Sequence, residues 1–227
     1  MARRRSVLEL VAELMPQAIG LAASPLPLIA VLLMVLSPNG RGRSIGFAMG
    51  RVLGVLATVI AVAALSELVT QGSGGSRIGA VIRLVFGVAL VFLALTKIRS
   101  RPRGSAEPKT PGWMQALDDM PPAKALRTGF LVTVINPKEL IFGLAAGVVI
   151  GSSTLPPGVL AAAVLIYTAI ATITVVVPVV AYLFLGARVR GVLEPVRTWL
   201  VRYYNIIIAA VLAIIGVVMI GKGLAGF

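Results

Sequence analysis

Apolar residues dominate this chain in six long runs, and a polar segment separates each run from the next. The runs cover residues 8–36, 44–65, 78–97, 128–150, 159–185 and 205–220. A helix needs about 20 predominantly apolar residues to cross the hydrocarbon core of a bilayer, so each run predicts one membrane span. The pattern therefore predicts an all-α, polytopic membrane protein with six transmembrane helices.

Prolines interrupt two of these runs at their centres. The first run contains SPLP at residues 24–27, and the fourth contains NPKE at residues 136–139. Proline lacks a backbone donor and clashes with the preceding turn, so each motif predicts a break in its helix. Broken helices at membrane depth expose backbone groups and half-helix ends, from which many transporters build a substrate site.

The order of the segments suggests an internal duplication. Three spans precede a basic linker and three follow it, and each proline motif lies in the first span of its half. Both motifs contain a small polar residue and a proline, followed shortly by Leu-Ile. An odd number of spans gives the two halves opposite topology. We therefore predict two inverted three-helix repeats, residues 1–97 and 128–227, joined by a cytoplasmic linker at 98–127.

Composition supports a membrane protein and narrows its chemistry. The chain of 227 residues is 58% hydrophobic and only 13% charged, whereas a soluble domain carries about 25% charged residues. It has no cysteine and no histidine, which argues against thiolate chemistry and most transition-metal sites. We also find no nucleophile–base pair, acidic metal cluster or ATP-binding motif. We expect neither a cofactor nor enzymatic activity.

The net charge of +13 is best explained by membrane topology. Most of the 21 lysine and arginine residues lie in the loops after spans one, three and five, which favours contact with anionic lipid over nucleic acid. The positive-inside rule places these loops in the cytoplasm and both termini outside the plasma membrane. The basic cluster at residues 3–5 opposes this orientation.

Small and charged residues also occur inside the spans. Gly46, Gly50 and Gly54 recur every four residues and predict a face that another helix approaches closely. We favour packing within one chain over a homodimer for this face. Arg51 adjoins it, and Arg83 lies in span three. Each arginine either contacts an anion in a cavity or extends to the nearby membrane surface, and the sequence leaves both alternatives open.

At these residues the chain resembles a known family. The run 127–147 with its NPK motif is similar to the second proline motif of the lysine-exporter superfamily. The SPLP motif, the basic loop and the glycine-rich second span resemble the GAP branch, the peptidoglycolipid-addressing proteins. Arg51 departs from this pattern, where an aromatic or apolar residue is expected. The resemblance implies that the protein exports or flips a glycolipid or lipid-linked precursor across the plasma membrane.

The candidate substrate site combines both breaks with the arginines inside the spans. Its residues are Ser24, Pro25, Pro27, Arg51, Arg83, Asn136, Pro137, Lys138 and Glu139. Half-helix N-termini attract anions; Asn136 would orient a headgroup, and Lys138 would pair with its phosphate or carboxylate. Glu139 would neutralise Lys138 in the empty site and exchange protons during the cycle. Alternatively, Lys138 and Glu139 form a local ion pair near the cytoplasmic surface, beside a proline that is only a packing kink.

These features favour a substrate with an anionic head and an apolar tail, such as an anionic lipid or glycolipid. Two other functions stay open. The first is export of small solutes such as amino acids or ions. The second is a membrane scaffold without transport activity, which docks lipid-synthesis enzymes through the basic linker and an amphipathic interfacial helix at residues 188–204,.

Overall fold

The computed structural model describes residues 7–38, 40–66 and 120–224, together with positions 84, 88, 91–92 and 94–96. Arg83 and most of the predicted third span and linker lie outside the described residues.

All regular structure in the described residues is helical, as predicted. The elements are α1 (Val7–Ala22), α2 (Pro25–Leu36), α3 (Gly40–Ala64), α4 (Pro122–Ile135), α5 (Pro137–Gly151), α6 (Pro157–Leu185), a 3₁₀ turn (Gly186–Val189) and α7 (Arg190–Leu224). Helix α4 begins inside the segment assigned to the linker. Helix α7 continues from the predicted amphipathic segment into the last predicted span without a break at Pro195.

Two of the described helices are long and apolar enough to cross a membrane. These are α3, with 25 residues and a mean hydropathy of 2.1, and α6, with 29 residues and a mean hydropathy of 2.4. The pairs α1–α2 and α4–α5 each qualify as one span with a bend, of 55° and 71° respectively. The described part of the chain therefore contains two to four candidate membrane spans.

Both predicted helix breaks are confirmed. Helix α2 begins at Pro25 and helix α5 at Pro137. Each proline occupies the first helical position. A backbone N–H at this position has no intrahelical partner, so proline loses no hydrogen bond there, and its fixed φ suits the helix. Pro16 and Pro178 lie inside α1 and α6, so proline alone does not break these helices.

The chain divides into two compact units. The first combines Met1–Val69 with Pro111–Arg197 and contains α1 to α6. The second comprises Thr70–Thr110 and Thr198–Phe227, so α7 begins in the first unit and continues in the second. The candidate site described below lies wholly in the first unit.

The predicted glycine face of α3 packs within the chain, against α4. A Cβ atom added at Gly46 would lie 2.5 Å from the carbonyl oxygen of Pro122, and one at Gly50 would overlap the carbonyl oxygen of Leu126. Only glycine permits this close approach of two helix backbones. The prediction of intramolecular packing is therefore confirmed for this face.

A second glycine stripe, which our sequence analysis missed, packs the later half of α3 against α5. Cβ atoms added at Gly143 and Gly147 would lie 2.7 Å and 2.5 Å from side-chain carbons of Thr58 and Val62. Gly151 continues the same stripe at the end of α5. Residue numbers increase together along both partners, so α3 runs parallel to the broken pair α4–α5.

Helices α1 and α6 form a second parallel pair. Leu14 and Ala18 of α1 lie with Tyr167 of α6 in one buried apolar cluster. Further along both helices, the hydroxyl of Thr174 donates a 2.8 Å hydrogen bond to the carbonyl oxygen of Ala22. This contact brings α6 against the end of α1, directly beside the first helix break.

Candidate functional site

A buried ion pair between Arg51 and Glu139 forms the centre of the site. Arg51 Nη1 lies 3.2 Å from Glu139 Oε2, and Arg51 Nη2 donates to Glu139 Oε1 at 3.4 Å. Both side chains are about 1% exposed. The interpretation in which Arg51 extends to the membrane surface is therefore wrong. The Glu139 carboxylate makes its ion pair with Arg51, and Lys138 interacts with the same carboxylate electrostatically.

Arg51 also contacts both helix breaks. Its Nη2 donates to the carbonyl oxygen of Leu21 at 3.2 Å, and its Nη1 donates to the hydroxyl of Thr133 at 3.5 Å. Leu21 lies in the last turn of α1 and Thr133 in the last turn of α4. One guanidinium from α3 therefore joins the end of the first half-helix in each bent span.

The second break has a well-defined local cause. Asn136 is the N-cap of α5, and its side-chain oxygen accepts a 3.0 Å hydrogen bond from the backbone N–H of Lys138. Pro137 follows at the first helical position and Glu139 at the third. An acidic residue at this third position commonly bonds back to the N-cap. Here it turns inward to Arg51, and the Asn136 oxygen is engaged in capping the helix.

Lys138 lies near this ion pair. Its side chain is partly exposed, yet the Nζ atom is buried and has no hydrogen-bond partner among the described residues. Lys138 interacts electrostatically with both Glu139 and Arg51. Within the described residues, the site therefore offers buried cationic donors, a capped helix N-terminus and one carboxylate, which suits binding of an anion.

The first break is buried and uncharged. Ser24 is 3% exposed and caps α2 without a side-chain hydrogen bond, and Pro25 and Pro27 are buried among apolar side chains. A hydrogen bond from α6 satisfies a backbone group here: the Thr174 hydroxyl donates to the carbonyl oxygen of Ala22. The charged cluster reaches this break through the hydrogen bond from Arg51 to the Leu21 carbonyl at the end of α1.

The structure adds three residues that our sequence analysis missed. Thr133 and Thr174 place hydroxyls beside the breaks, and buried Tyr167 donates to the carbonyl oxygen of Phe142 at 3.5 Å. Hydroxyl side chains on otherwise apolar helices were the available signal. That signal does not indicate which of many threonines faces a break, because the choice depends on how α3, α4 and α6 pack.

Comparisons with known proteins identify a family. Neither the curated proteins nor the solved structures contain a match. A family model described as Sap, sulfolipid-1-addressing protein, matches residues 14–225, which include both helix breaks and the Arg51–Glu139 pair. This family is related to the glycolipid-addressing proteins, so the predicted resemblance is confirmed at that level. On this match over nearly its whole length, the chain belongs to the sulfolipid-1-addressing protein family.

Proposed function

We propose that the protein moves a glycolipid with an anionic headgroup across the plasma membrane, by export or flipping, and that it is a transporter rather than an enzyme. Its family connects it with the addressing of sulfolipids or glycolipids at a membrane. The single observation that carries the transport proposal is the buried Arg51–Glu139 pair, which joins two broken helices. The side chains of Arg51 and Glu139 would line the path that the headgroup takes through the protein.

The energetics of this pair support a functional role. Taking two charges out of water costs more than their mutual attraction returns in many proteins, so a buried ion pair is weak support for stability. Ionisable residues inside membrane spans are rare and mark substrate pathways. Because Arg51 contacts Leu21 and Thr133 as well as Glu139, movement at one break would alter the contacts at the other.

The helix packing supports the proposed inverted repeat. If the second half repeats the first, α4–α5 corresponds to α1–α2, and α6 corresponds to α3. Under this correspondence, the parallel packing of α3 against α4–α5 is matched by the parallel packing of α6 against α1. Both pairs are present. This agreement favours a six-span inverted repeat of the lysine-exporter type, with substrate bound between the halves.

Lipid analysis of a deletion strain tests the proposal. Lipids are extracted from inner-membrane and surface fractions and identified by mass spectrometry, and the strain is complemented with wild type, Arg51→Gln or Glu139→Gln. We expect one anionic glycolipid to disappear from the surface and accumulate at the inner membrane, with rescue by wild type alone. An unchanged lipid distribution would contradict glycolipid transport and favour export of small solutes.

The same variants test proton exchange by Glu139. Purified protein in liposomes is assayed for movement of the identified lipid over a range of pH values. If Glu139 exchanges protons, wild-type transport depends on pH, and Glu139→Gln removes that dependence together with most of the activity. Normal transport by Glu139→Gln at every pH would contradict the proton role. Lipid binding without movement in this assay would favour the scaffold function.

A further inference from the structure

The aromatic ring of Phe142 rests on Gly20, near the end of the first half-helix. A Cβ atom built at Gly20 would lie 2.6–2.9 Å from three outer ring atoms of Phe142, Cζ, Cε1 and Cε2. The edge of the ring therefore occupies the space that a side chain at position 20 would need. Gly20 lies two residues before the end of α1, and Phe142 belongs to α5, so this contact joins the two bent spans.

This contact lies beside the buried ion pair. Leu21, the residue after Gly20, accepts the hydrogen bond from Arg51. Phe142 follows Glu139 by three residues in α5, which places the two side chains at neighbouring positions of one helix face. The ion pair and the ring therefore reach the same turn of α1 from two different helices, α3 and α5.

Phe142 is also in contact with α6. The hydroxyl of buried Tyr167 donates to the carbonyl oxygen of Phe142 at 3.5 Å. Tyr167 also lines an apolar crevice between α1 and α6, together with Leu14, Ala18 and Ile166. Leu14 and Tyr167 are buried, whereas Ile166 is 41% exposed. The crevice therefore extends inward from the outer surface of these helices to the residue that contacts Phe142.

The contact between α1 and α5 differs in kind from the contact between α3 and α4. The nearest atoms to a Cβ built at Gly50 are backbone atoms of α4, whereas those nearest to a Cβ built at Gly20 are the ring atoms of Phe142. A backbone contact opens only if a whole helix moves, but a ring leaves by rotation between side-chain rotamers. The two bent spans can therefore separate at the ring of Phe142 with little rearrangement.

We propose that Phe142 is a gate: its ring, closed on Gly20 in this structure, shuts the route from the crevice between α1 and α6 to the Arg51–Glu139 pair, and it swings off Gly20 to admit the lipid. This rests on the proposed function and adds the route of entry and the residue that controls it. The lipid enters sideways from the bilayer, because exposed apolar side chains such as Ile166 form the outer edge of the crevice.

The reactivity of a buried thiol tests the gate, because the chain has no cysteine of its own. Thr133→Cys places a thiol beside Arg51, at a position that is 2% exposed, and its modification by N-ethylmaleimide is timed in the full chain in nanodiscs. Phe142→Leu shortens the gate and Phe142→Ala removes it, and each should raise the rate by roughly tenfold or more, because a buried group reacts only when the structure around it opens. Gly20→Ala displaces the edge of the ring and should raise the rate by a smaller factor.

Two controls separate opening of the gate from general loosening of the fold. Ala125→Cys places a thiol at a position of α4 that is 0% exposed, and it should react equally slowly in every background. Gly158→Ala, at a glycine with nothing within 4 Å, should leave the reactivity of Thr133→Cys unchanged. The gate would be overturned by an unchanged rate at Thr133→Cys in both Phe142 variants, or by an equal rise at Ala125→Cys.

Cross-linking tests whether the contact opens during transport. Gly20→Cys with Phe142→Cys replaces the ring contact by two thiols, which a short bifunctional methanethiosulfonate bridges. The control pair, Thr58→Cys with Gly143→Cys, joins α3 to α5, where a Cβ built at Gly143 would lie 3.6 Å from Thr58 Cβ, a spacing that suits a disulfide. With fluorescent sulfatide as the probe in liposomes, the first cross-link should stop lipid movement until it is reduced, and the second should permit it. Undiminished movement with the first cross-link in place would overturn the gate.

Failure of the proposed function is distinguishable from failure of the gate. A normal lipid distribution in the deletion strain, combined with thiol reactivity that depends on Phe142, would reject glycolipid transport and keep the gate. Misplaced glycolipid in the deletion strain, combined with thiol reactivity that does not respond to Phe142 or Gly20, would reject the gate alone.

Discussion

The two helix breaks have the same backbone arrangement and differ in the polar and charged side chains that lie beside it. In both, a proline begins the second half-helix, and the axes bend by 55° at the first break and 71° at the second. The first break is uncharged, with buried Ser24 and a hydrogen bond from Thr174 to the end of α1. The second carries Lys138 and Glu139 beside the Asn136 cap.

This difference shows that a break by itself does not make a charged site. The first break supplies the Leu21 carbonyl and the second supplies the Glu139 carboxylate, and Arg51 of α3 contacts both. The carboxylate at the second break therefore depends on another helix, α3, for its counter-ion. That helix is held in place by glycine contacts along both α4 and α5.

Removing the shared arginine should have the largest effect on both breaks. Arg51→Gln leaves the Glu139 carboxylate buried without its counter-ion, and losing one partner of a buried ion pair costs roughly 3–5 kcal/mol. We expect a large drop in the melting temperature of the purified protein. Arg41→Gln, at an exposed position of the same helix, should melt like wild type.

A double variant distinguishes stability from function at this pair. Arg51→Leu with Glu139→Leu removes both charges, and apolar replacement of a buried pair is commonly neutral or stabilising. Recovery of the melting temperature without recovery of lipid transport would assign the charges to the substrate pathway. Recovery of both would contradict the site.

Separating α3 from α4 should have an intermediate effect. In Gly50→Ala the added methyl group overlaps the Leu126 carbonyl, and such overpacking typically costs ~1–3 kcal/mol. We expect weaker binding of anionic lipid together with the lower stability, because Arg51 follows Gly50 directly. Gly158→Ala, where nothing lies within 4 Å, is the matched control, and equal melting of the two variants would contradict the packing argument.

Removing the hydroxyl that closes the first break should have the smallest effect. Thr174→Val loses the hydrogen bond to the Ala22 carbonyl, which corresponds to roughly 0.5–1.5 kcal/mol of unfolding free energy. Thr168→Val, on the same helix, removes a buried hydroxyl that has no hydrogen-bond partner in the described part of the chain and should be neutral or stabilising. The two melting temperatures measured side by side check this, and the reverse order would contradict it.

Much of the architecture was readable from local sequence signals. Apolar runs of membrane-spanning length predicted helices that the structure shows as α3 and α6, and the proline motifs predicted both breaks. Such features depend on residues within a turn or two of each other. The glycines at positions 46, 50 and 54 also predicted a close helix contact, although its partner α4 was not identifiable from spacing alone.

The sequence by itself determined the class of protein, the positions of the two breaks and the residues that carry charge inside the spans. Only the tertiary structure decided which charges meet. Arg51 and Glu139 are 88 residues apart, and Glu139 also has a lysine as its direct neighbour. The pairing follows from the glycine contacts that hold α3 along α4 and α5, because close packing of distant segments, and not spacing along the chain, sets which buried groups lie within reach of one another.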